Sequence, residues 1–508
     1  MSTMKEYILL SILSYCNFSE DDYGQSLWDI FQSKRINNVV ISTFDVLLLE
    51  NRQLFLEYFT QELKIWKVFY VDNRTVVAQD SSVSGFYSVV LKKDNEYVIS
   101  YRGSEKFPLE DAYKDFIETD LLIGMGRIPL QFYEGIEVYD KITKNYKIDR
   151  NQIVLTGHSL GGGIAQYVSM SIDKRENFIP KTYTWNGIGI NRKGIVSVVE
   201  FIDLMEILKK NTDLTQEELL SFKTFTNSYL SFLFKELKRI GLVKDEVTII
   251  KDRLDKVDID INEDFIKRLM RNTNIEECLM KFSLKRRRNI VLDQRLFGVI
   301  FQIDNLKELL LRAQKFINKV DKNKSYERSI INYGHSQDLT NSLFRHIGSS
   351  YLLDQDFINK TDKKLSFLNN FKVFTKSIQD LHFEDVFLAF IETQGDNKGN
   401  FSSDINLDFL ASSIRKMLTM EYCFSKNFLA IYYSLENVTE ENFEFIRKEI
   451  VHGFEHCGVE LLYRDKMSNQ VKTMDISKLD ILWEKLKKKL PSPYRYQDIF
   501  DIFVFGKK

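Results

Sequence analysis

A serine flanked by two glycines is the clearest chemical signal in this sequence. The pentapeptide Gly157-His158-Ser159-Leu160-Gly161 follows a β-prone run, 152–156, and precedes a small-residue run, 162–166, that is typical of a helix start. This context matches the nucleophile elbow, a strand-to-helix turn so sharp that the residues two places either side of the serine must lack a Cβ. The pattern predicts that Ser159 is a nucleophile. The backbone N–H of Leu160 and the positive helix terminus would face the oxyanion that its attack forms.

A serine nucleophile also needs a general base and a carboxylate that orients this base, and in elbow-type enzymes the acid precedes the base in the chain. Asp338 follows a predicted strand, 329–333, by a short polar loop. We therefore expect it at the carboxyl edge of the sheet, where the elbow lies. Asp354 and Asp356 follow the next predicted strand and are the alternative acids.

The sequence offers few candidates for the base. Besides His158 it contains only His335, His346, His382, His452 and His456. His382 is favoured because it lies well after Asp338, in a polar loop that opens an apolar helix pattern. His346 closely follows Asp338 and precedes a strand, where a packing histidine is commoner, so it is the alternative base.

The elements around the elbow predict an α/β fold. Two β-rich runs separated by a polar turn, 86–91 and 97–102, predict a hairpin. Further strands are predicted at 183–187, 329–333, 347–353, 428–433 and 459–463, and helices at 4–15, 110–121 and 136–142.

A chain of 508 residues exceeds what one hydrophobic core usually serves. From about 195 to 320 it has almost no glycine, no proline, and apolar residues at helical spacing. We therefore predict an α/β-hydrolase domain at 1–194 and 325–398 with a central, mostly parallel sheet. A helical insertion or cap would occupy 195–324, and a C-terminal α+β domain of unknown role would occupy 399–508.

Composition narrows the class of protein. The chain has 71 basic and 72 acidic residues, so its net charge gives no support for nucleic-acid binding. Its four cysteines form no CxxC pair, which suits a reducing compartment. The apolar run 7–16 is short, is preceded by only one positive charge, Lys5 beside Glu6, and is not followed by the small-residue cleavage site of a signal peptide. We expect a protein that is cytoplasmic or peripheral to a membrane, with secretion independent of a cleavable signal left open.

Short motifs spread along the chain accompany the elbow. They are Arg102-Gly103-Ser104, Asp115-Phe116 with Asp120, Tyr133-Glu134-Gly135, Thr184-Trp185-Asn186-Gly187, the run 332–338, and His346-Ile347-Gly348. Together with the elbow they resemble the class 3 lipases, the fungal-lipase-like α/β hydrolases. The resemblance covers residues 1 to about 195 and 325 to 395.

This resemblance implies carboxylic ester hydrolysis, with lipids as substrates and no metal or organic cofactor. It also implies that Ser104 completes the oxyanion hole with the Leu160 N–H, and that Asp338 and His382 complete the triad. The chain departs from the family at Phe116, where tryptophan is usual, and at 185–187, where asparagine-alanine-proline-glycine is usual. The insertion and the C-terminal region have no counterpart in the minimal enzyme, so substrate choice is not carried over.

The leading interpretation is a lipase or phospholipase of A type that forms an acyl-enzyme. One alternative is an esterase or thioesterase that acts on soluble acyl compounds. Another is an effector or scaffold whose C-terminal domain binds a protein partner; bacteria use lipase domains in effectors.

Two further motifs carry weaker signals. The basic run 285–288 in the insertion could contact anionic lipid headgroups at a membrane surface, although a solvated charged turn is the favoured interpretation. The run 452–456 matches the H-x-x-E-H pattern of some zinc peptidases. Its internal glycine and the lack of a third ligand favour a polar helix face.

Overall fold

The computed structural model describes ten stretches of the chain and several single positions. The stretches are 4–32, 63–75, 85–103, 130–190, 192–204, 303–322, 324–335, 344–353, 440–464 and 471–478, and the other described positions are 206, 207, 210, 215, 299, 338 and 340–342. The predicted helix 110–121, the predicted strand 428–433 and the middle of the predicted insertion lie outside them.

A single mixed sheet of nine strands organises the described residues, and its strands follow one another in chain order. They are β1 (Lys67–Asn73), β2 (Tyr87–Lys93), β3 (Glu96–Tyr101), β4 (Ile153–His158), β5 (Lys181–Trp185), β6 (Ile330–His335), β7 (Ser349–Leu353), β8 (Val459–Arg464) and β9 (Val471–Met474). Strands β3 to β8 are parallel, whereas β1, β2 and β9 pair antiparallel at the two sides. This topology is that of an α/β protein with a mostly parallel sheet.

Helices cover both faces of the sheet. The described α-helices are α1 (Met4–Leu13), α2 (Leu27–Gln32), α3 (Leu130–Asp140), α4 (Leu160–Glu176), α5 (Arg192–Val199), α6 (Ile303–Lys322), α7 (Lys324–Ser329) and α8 (Glu440–Cys457). Short 3₁₀ turns are found at Glu20–Asp22, Leu63–Ile65, Arg150–Gln152, Thr340–Ser342 and Ile476–Lys478, and π-helical turns at Lys141–Asn145 and Glu200–Leu204.

Two hydrophobic cores lie on opposite sides of the sheet. Alternate side chains of a strand point to opposite faces, so Leu155 of β4 enters the core under α3 to α6, whereas Val154 enters the core under α1 and α2. All six residues of β4 are buried. An apolar run buried on both faces is typical of a central parallel strand, and it explains why the sequence before the elbow lacks polar alternation.

Most predicted strands are present in the structure, but the helix predicted at 136–142 begins earlier than expected. The hairpin of β2 and β3 pairs Lys93 with Glu96, and Asp94 between them has a φ of 51°. The helix predicted at 136–142 instead begins at Leu130, with Gly135 inside it. A Cβ on Gly135 would lie 2.7 Å from Cγ2 of Ile164. This glycine therefore allows α3 to pack closely on α4 and does not mark a helix start.

The predicted insertion and C-terminal region both contribute to the fold around the sheet. The described ends of 195–324 are helical, and Val198 of α5 and Ile317 of α6 lie in the same core as α4. Strands β8 and β9 fall within 399–508, yet β8 pairs with β7 of the central sheet. The boundaries of the three domains stay a prediction. None of the described helices is long and apolar enough to cross a membrane.

Candidate active site

The turn between β4 and α4 has the geometry of a nucleophile elbow. Ser159 has φ 56° and ψ −128°, a backbone conformation that L-residues rarely adopt. A Cβ on Gly157 would lie 2.4 Å from the backbone carbonyl of Gly161, and one on Gly161 would lie 2.1 Å from the carbonyl oxygen of Tyr101. Both positions therefore require glycine, as the sequence pattern predicts.

The start of α4 provides candidate oxyanion donors. Leu160 is the first residue of this helix, and the first amides of a helix have no acceptor within it. The carbonyl oxygen of Ser159 accepts hydrogen bonds from Gly162, at 3.0 Å, and from Ile188, at 3.2 Å. These bonds fix the turn from the helix side and from the loop after β5.

Gly103 forms the wall opposite the helix. A Cβ at this position would lie 2.9 Å from Cβ of Ser159 and 2.5 Å from the hydroxyl oxygen of Tyr15, so the chain passes directly beside the serine. The Tyr15 hydroxyl lies 2.8 Å from Nδ1 of His158. Ser104, the residue that the resemblance assigns to the oxyanion hole, lies outside the described residues.

Arg102 anchors this wall to the first helix. Its guanidinium donates to the carbonyl oxygens of Ser14, at 2.6 Å, and Cys16, at 3.1 Å, and to Oδ1 of Asn17, at 2.9 Å. It also lies 3.6 Å from the ring centroid of Tyr87. Burial raises the pKa of the Tyr87 phenol, although the nearby guanidinium lowers it, so a neutral ring faces the cation.

The predicted acid is buried in the loop after β6. Asp338 is 1% exposed, its N–H donates to the carbonyl oxygen of His335 at 3.1 Å, and its Oδ2 accepts the N–H of Asn341 at 2.7 Å. A carboxylate that accepts a backbone N–H is held in one orientation. An acid that orients a catalytic histidine needs this property.

Hydrogen bonds across the carboxyl ends of β4, β5 and β6 connect the elbow with the acid loop. Ser159 donates its N–H to Trp185, and Asn186 donates its N–H to Tyr333. The side-chain oxygen of Asn186 then accepts the N–H of His335 at 2.7 Å. Asn186 itself is fully buried with a φ of 42°. Residues 186 and 335 therefore set the relative position of the two loops.

His346, the alternative base, is buried near the acid but is engaged through both ring nitrogens. Nε2 lies 3.1 Å from the carbonyl oxygen of Asn341, and Nδ1 lies 3.3 Å from Nε2 of Gln166. His382, Asp354 and Asp356 lie outside the described residues. The structure thus describes Ser159, Leu160, Asp338 and His346 among the predicted site residues.

Sequence reasoning missed three buried polar residues of this site. They are Gln166, Asn186 and Asn341. The available signal was a lone amide on an apolar helix for Gln166 and, for Asn186, its place in the motif 184–187 within the predicted strand 183–187. Nothing in the sequence identifies Asn341, whose contacts depend on how its loop folds.

The H-x-x-E-H run forms part of α8. The rings of His452 and His456 stack with centroids 5.7 Å apart, and Nε2 of His456 lies 3.4 Å from the Arg345 guanidinium. Among the residues that the structure describes, no group of three or more His, Cys, Asp or Glu could hold a metal ion.

Comparison with known families agrees with the chemistry of the elbow. A family model described as a Tle-like phospholipase domain matches residues 71–201, a segment that runs from β1 past the elbow into the π-helical turn after α5. The match supports a phospholipase-like or lipase-like domain that hydrolyses lipid esters, and it does not single out the class 3 lipases. No curated protein and no solved structure gives a significant match to the chain.

Proposed function

We propose that this protein is a serine-dependent phospholipase of A type that cleaves a carboxylic ester of a phospholipid through an acyl-enzyme. The observation that carries the proposal is the glycine-fitted turn at Ser159, with its strained backbone, inside the segment that matches a phospholipase domain. Strained backbone persists where the surrounding structure enforces it, and it is concentrated at functional sites.

The reaction assigns one role to each proposed residue. His382 takes the proton of the Ser159 hydroxyl as its oxygen attacks the ester carbonyl, and the resulting oxyanion is held by the Leu160 N–H and by Ser104. Collapse breaks the ester bond, and His382 protonates the leaving lysophospholipid. Water then attacks the acyl-enzyme in the same way and releases the fatty acid. Asp338 orients the imidazole of His382 throughout.

The contacts of His346 favour His382 as the base. A triad histidine needs one nitrogen facing the serine and the other facing the acid. Both nitrogens of His346 instead face Asn341 and Gln166.

We propose that the enzyme works in the cytoplasm or at a membrane surface and that the segment 195–324 contacts the lipid. An effector role, with the region 399–508 binding a protein partner, is consistent with a phospholipase domain that forms only part of the chain.

The test compares wild type with Ser159→Ala on mixed phospholipid vesicles, triacylglycerol emulsions and a soluble acyl thioester. Released fatty acid and lysophospholipid are measured by mass spectrometry. Ser477→Ala, a change at an exposed serine near β9, is the matched control. We expect fatty acid from vesicles, a loss of at least about 1000-fold in Ser159→Ala because the nucleophile is gone, and no loss in the control. Serine-dependent cleavage of the thioester alone would indicate an esterase or thioesterase that acts on soluble acyl compounds. No cleavage of any substrate would indicate a scaffold.

A further inference from the structure

Gln166, on the second turn of α4 after Ser159, joins three separate segments. Its side chain is fully buried. Oε1 accepts the N–H of Ile347 at 2.9 Å, and Nε2 donates to the carbonyl oxygen of Ile188 at 3.0 Å. Nε2 also lies 3.3 Å from Nδ1 of His346 and 3.3 Å from the carbonyl oxygen of Gly162. One amide therefore ties the helix of the nucleophile to the loops that follow β5 and β6.

These contacts favour one tautomer of the His346 ring. The N–H of Ile347 needs an acceptor, which fixes the orientation of the Gln166 amide and directs its NH₂ group at Nδ1 of His346. Nδ1 is therefore the acceptor, and Nε2 carries the hydrogen that it donates to the carbonyl oxygen of Asn341. This hydrogen-bond pattern suits the neutral ring, because a proton on Nδ1 would face the Gln166 donor.

The chain of contacts ends at the proposed acid. Asn341, whose carbonyl oxygen accepts from His346, donates its own N–H to Oδ2 of Asp338 at 2.7 Å. The four residues of this chain are all nearly fully buried, between 0 and 2% exposed. Hydrogen bonds in such a low-dielectric interior are stronger than in water and have few alternative arrangements.

We propose that Gln166 and His346 are positioning residues that fix Asp338 relative to Ser159. This inference rests on the proposed function, since it gives a role to two side chains that act only through the triad. A displacement of about 1 Å in a catalytic group can cost about 100-fold in rate. The relay Gln166–His346–Asn341–Asp338 prevents such a displacement, because its hydrogen bonds connect the loop of Asp338 to the helix that begins directly after Ser159.

The experiment measures kcat and KM on phospholipid vesicles, and thermal unfolding of the protein in solution. The variants are His346→Leu, Gln166→Leu, His346→Gln, Asp338→Ala and the double variant Asp338→Ala/His346→Leu. We expect His346→Leu and Gln166→Leu to lower kcat about 10- to 100-fold with KM within about twofold, because the acid is misplaced and both side chains are buried away from the surface. His346→Gln keeps a donor and an acceptor and is expected to recover most of the kcat.

The double variant separates positioning from chemistry. If His346 acts through Asp338, adding His346→Leu to Asp338→Ala lowers kcat no further. A further loss of tenfold or more, or a His346→Gln variant as inactive as Ser159→Ala, would make His346 the base and overturn the proposal. Unchanged kcat in both leucine variants would also overturn it. If Asp338→Ala itself retains full kcat, the proposed triad fails and the relay fails with it, whereas loss in Asp338→Ala without loss in the leucine variants removes the relay alone.

Discussion

Three non-glycine residues with positive φ lie in the loops where the chemistry is expected, and three others, Asp94, Lys147 and Asn177, lie elsewhere in the described residues. Ser159 and Asn186 directly follow β4 and β5, and Phe344 lies in the loop between β6 and β7; all three have positive φ. Each such residue costs on the order of 1 to 3 kcal/mol and persists only when its surroundings enforce it. Three consecutive loops at one edge of the sheet thus each hold one residue in a conformation that L-residues rarely adopt.

Gly103 offers a direct test of that geometry. In Gly103→Ala the new Cβ would press on Cβ of Ser159, on the His158 carbonyl oxygen and on the Tyr15 hydroxyl. We expect kcat/KM to fall by about 100-fold, since the reacting groups would shift. Gly135→Ala is the control, because its Cβ would meet side chains of α4 and β3 and no atom of Ser159, so it should lower the melting temperature more than the activity. Equal activity losses in the two variants would show that the loss in Gly103→Ala comes from general destabilisation and not from displacement of Ser159.

Cys16 provides a test of burial on the other face of the sheet. Burial raises the pKa of its thiol to about 12, against the opposing effect of the Arg102 charge. The thiol is therefore protonated at pH 8, and alkylation requires the thiolate. We expect iodoacetamide at pH 8 to modify Cys16 only after unfolding in guanidinium, as read from peptide masses. Rapid modification of the folded protein would show that the segment around Cys16 opens.

The sequence predicts some site residues better than others for a physical reason. The elbow imposes its own local requirements, since Gly157 and Gly161 must lack a Cβ, and so it is visible in five residues. Gln166 and Asn341 take part through contacts with loops that are distant in sequence. No local pattern encodes those contacts, which form only when the sheet has assembled.

Contacts between helices and strands explain how the N-terminal helix supports the site. Arg102, at the end of β3, satisfies the carbonyl groups of Ser14 and Cys16 just after α1. Helix ends leave backbone carbonyls without partners, and a buried cation is well suited to them. The same residue precedes Gly103, so α1 and the wall beside Ser159 are held by one side chain.

This arrangement predicts a large stability effect from one substitution. Arg102→Met would remove the guanidinium donor from the buried Ser14 carbonyl oxygen and one of the two donors to the Cys16 carbonyl oxygen, and we expect the protein to be less stable by about 3 kcal/mol. Lys144→Met is the control, since Lys144 is 63% exposed and pairs with Asp140 at the surface, and exposed pairs contribute about 0 to 1 kcal/mol. Denaturant unfolding of both variants provides the comparison. An Arg102→Met protein as stable as the control would contradict the anchoring role.

For the chain as a whole, the sheet extends into the region predicted as a separate C-terminal domain. Strand β8 pairs with β7 through four residue pairs, and its Leu462 enters the core under α1. Removal of this region would expose the backbone edge of β7 and part of that core. A bare strand edge promotes aggregation.

Truncation therefore tests whether residues 399–508 are independent. We expect a chain ending at residue 398 to be poorly soluble and to lack a cooperative unfolding transition, as measured by size-exclusion chromatography and calorimetry. A soluble, active fragment would show that the hydrolase domain folds without this region.

For the molecule as a whole, the sequence predicts the class of the fold but not the complete order of the strands. It predicts the class of the fold, because apolar runs separated by helical patterns are typical of a parallel sheet. It cannot reveal that β7 and β8 are neighbours, since about a hundred residues separate them and parallel pairing leaves no local turn signal.

The central claim, that Ser159 is the nucleophile, is tested most directly by an active-site probe. The folded protein would be treated with a fluorophosphonate, digested and analysed by mass spectrometry. The account predicts one adduct, on the peptide containing Ser159, and none in Ser159→Ala. An unmodified Ser159 in folded protein, or an adduct that persists in Ser159→Ala, would contradict it.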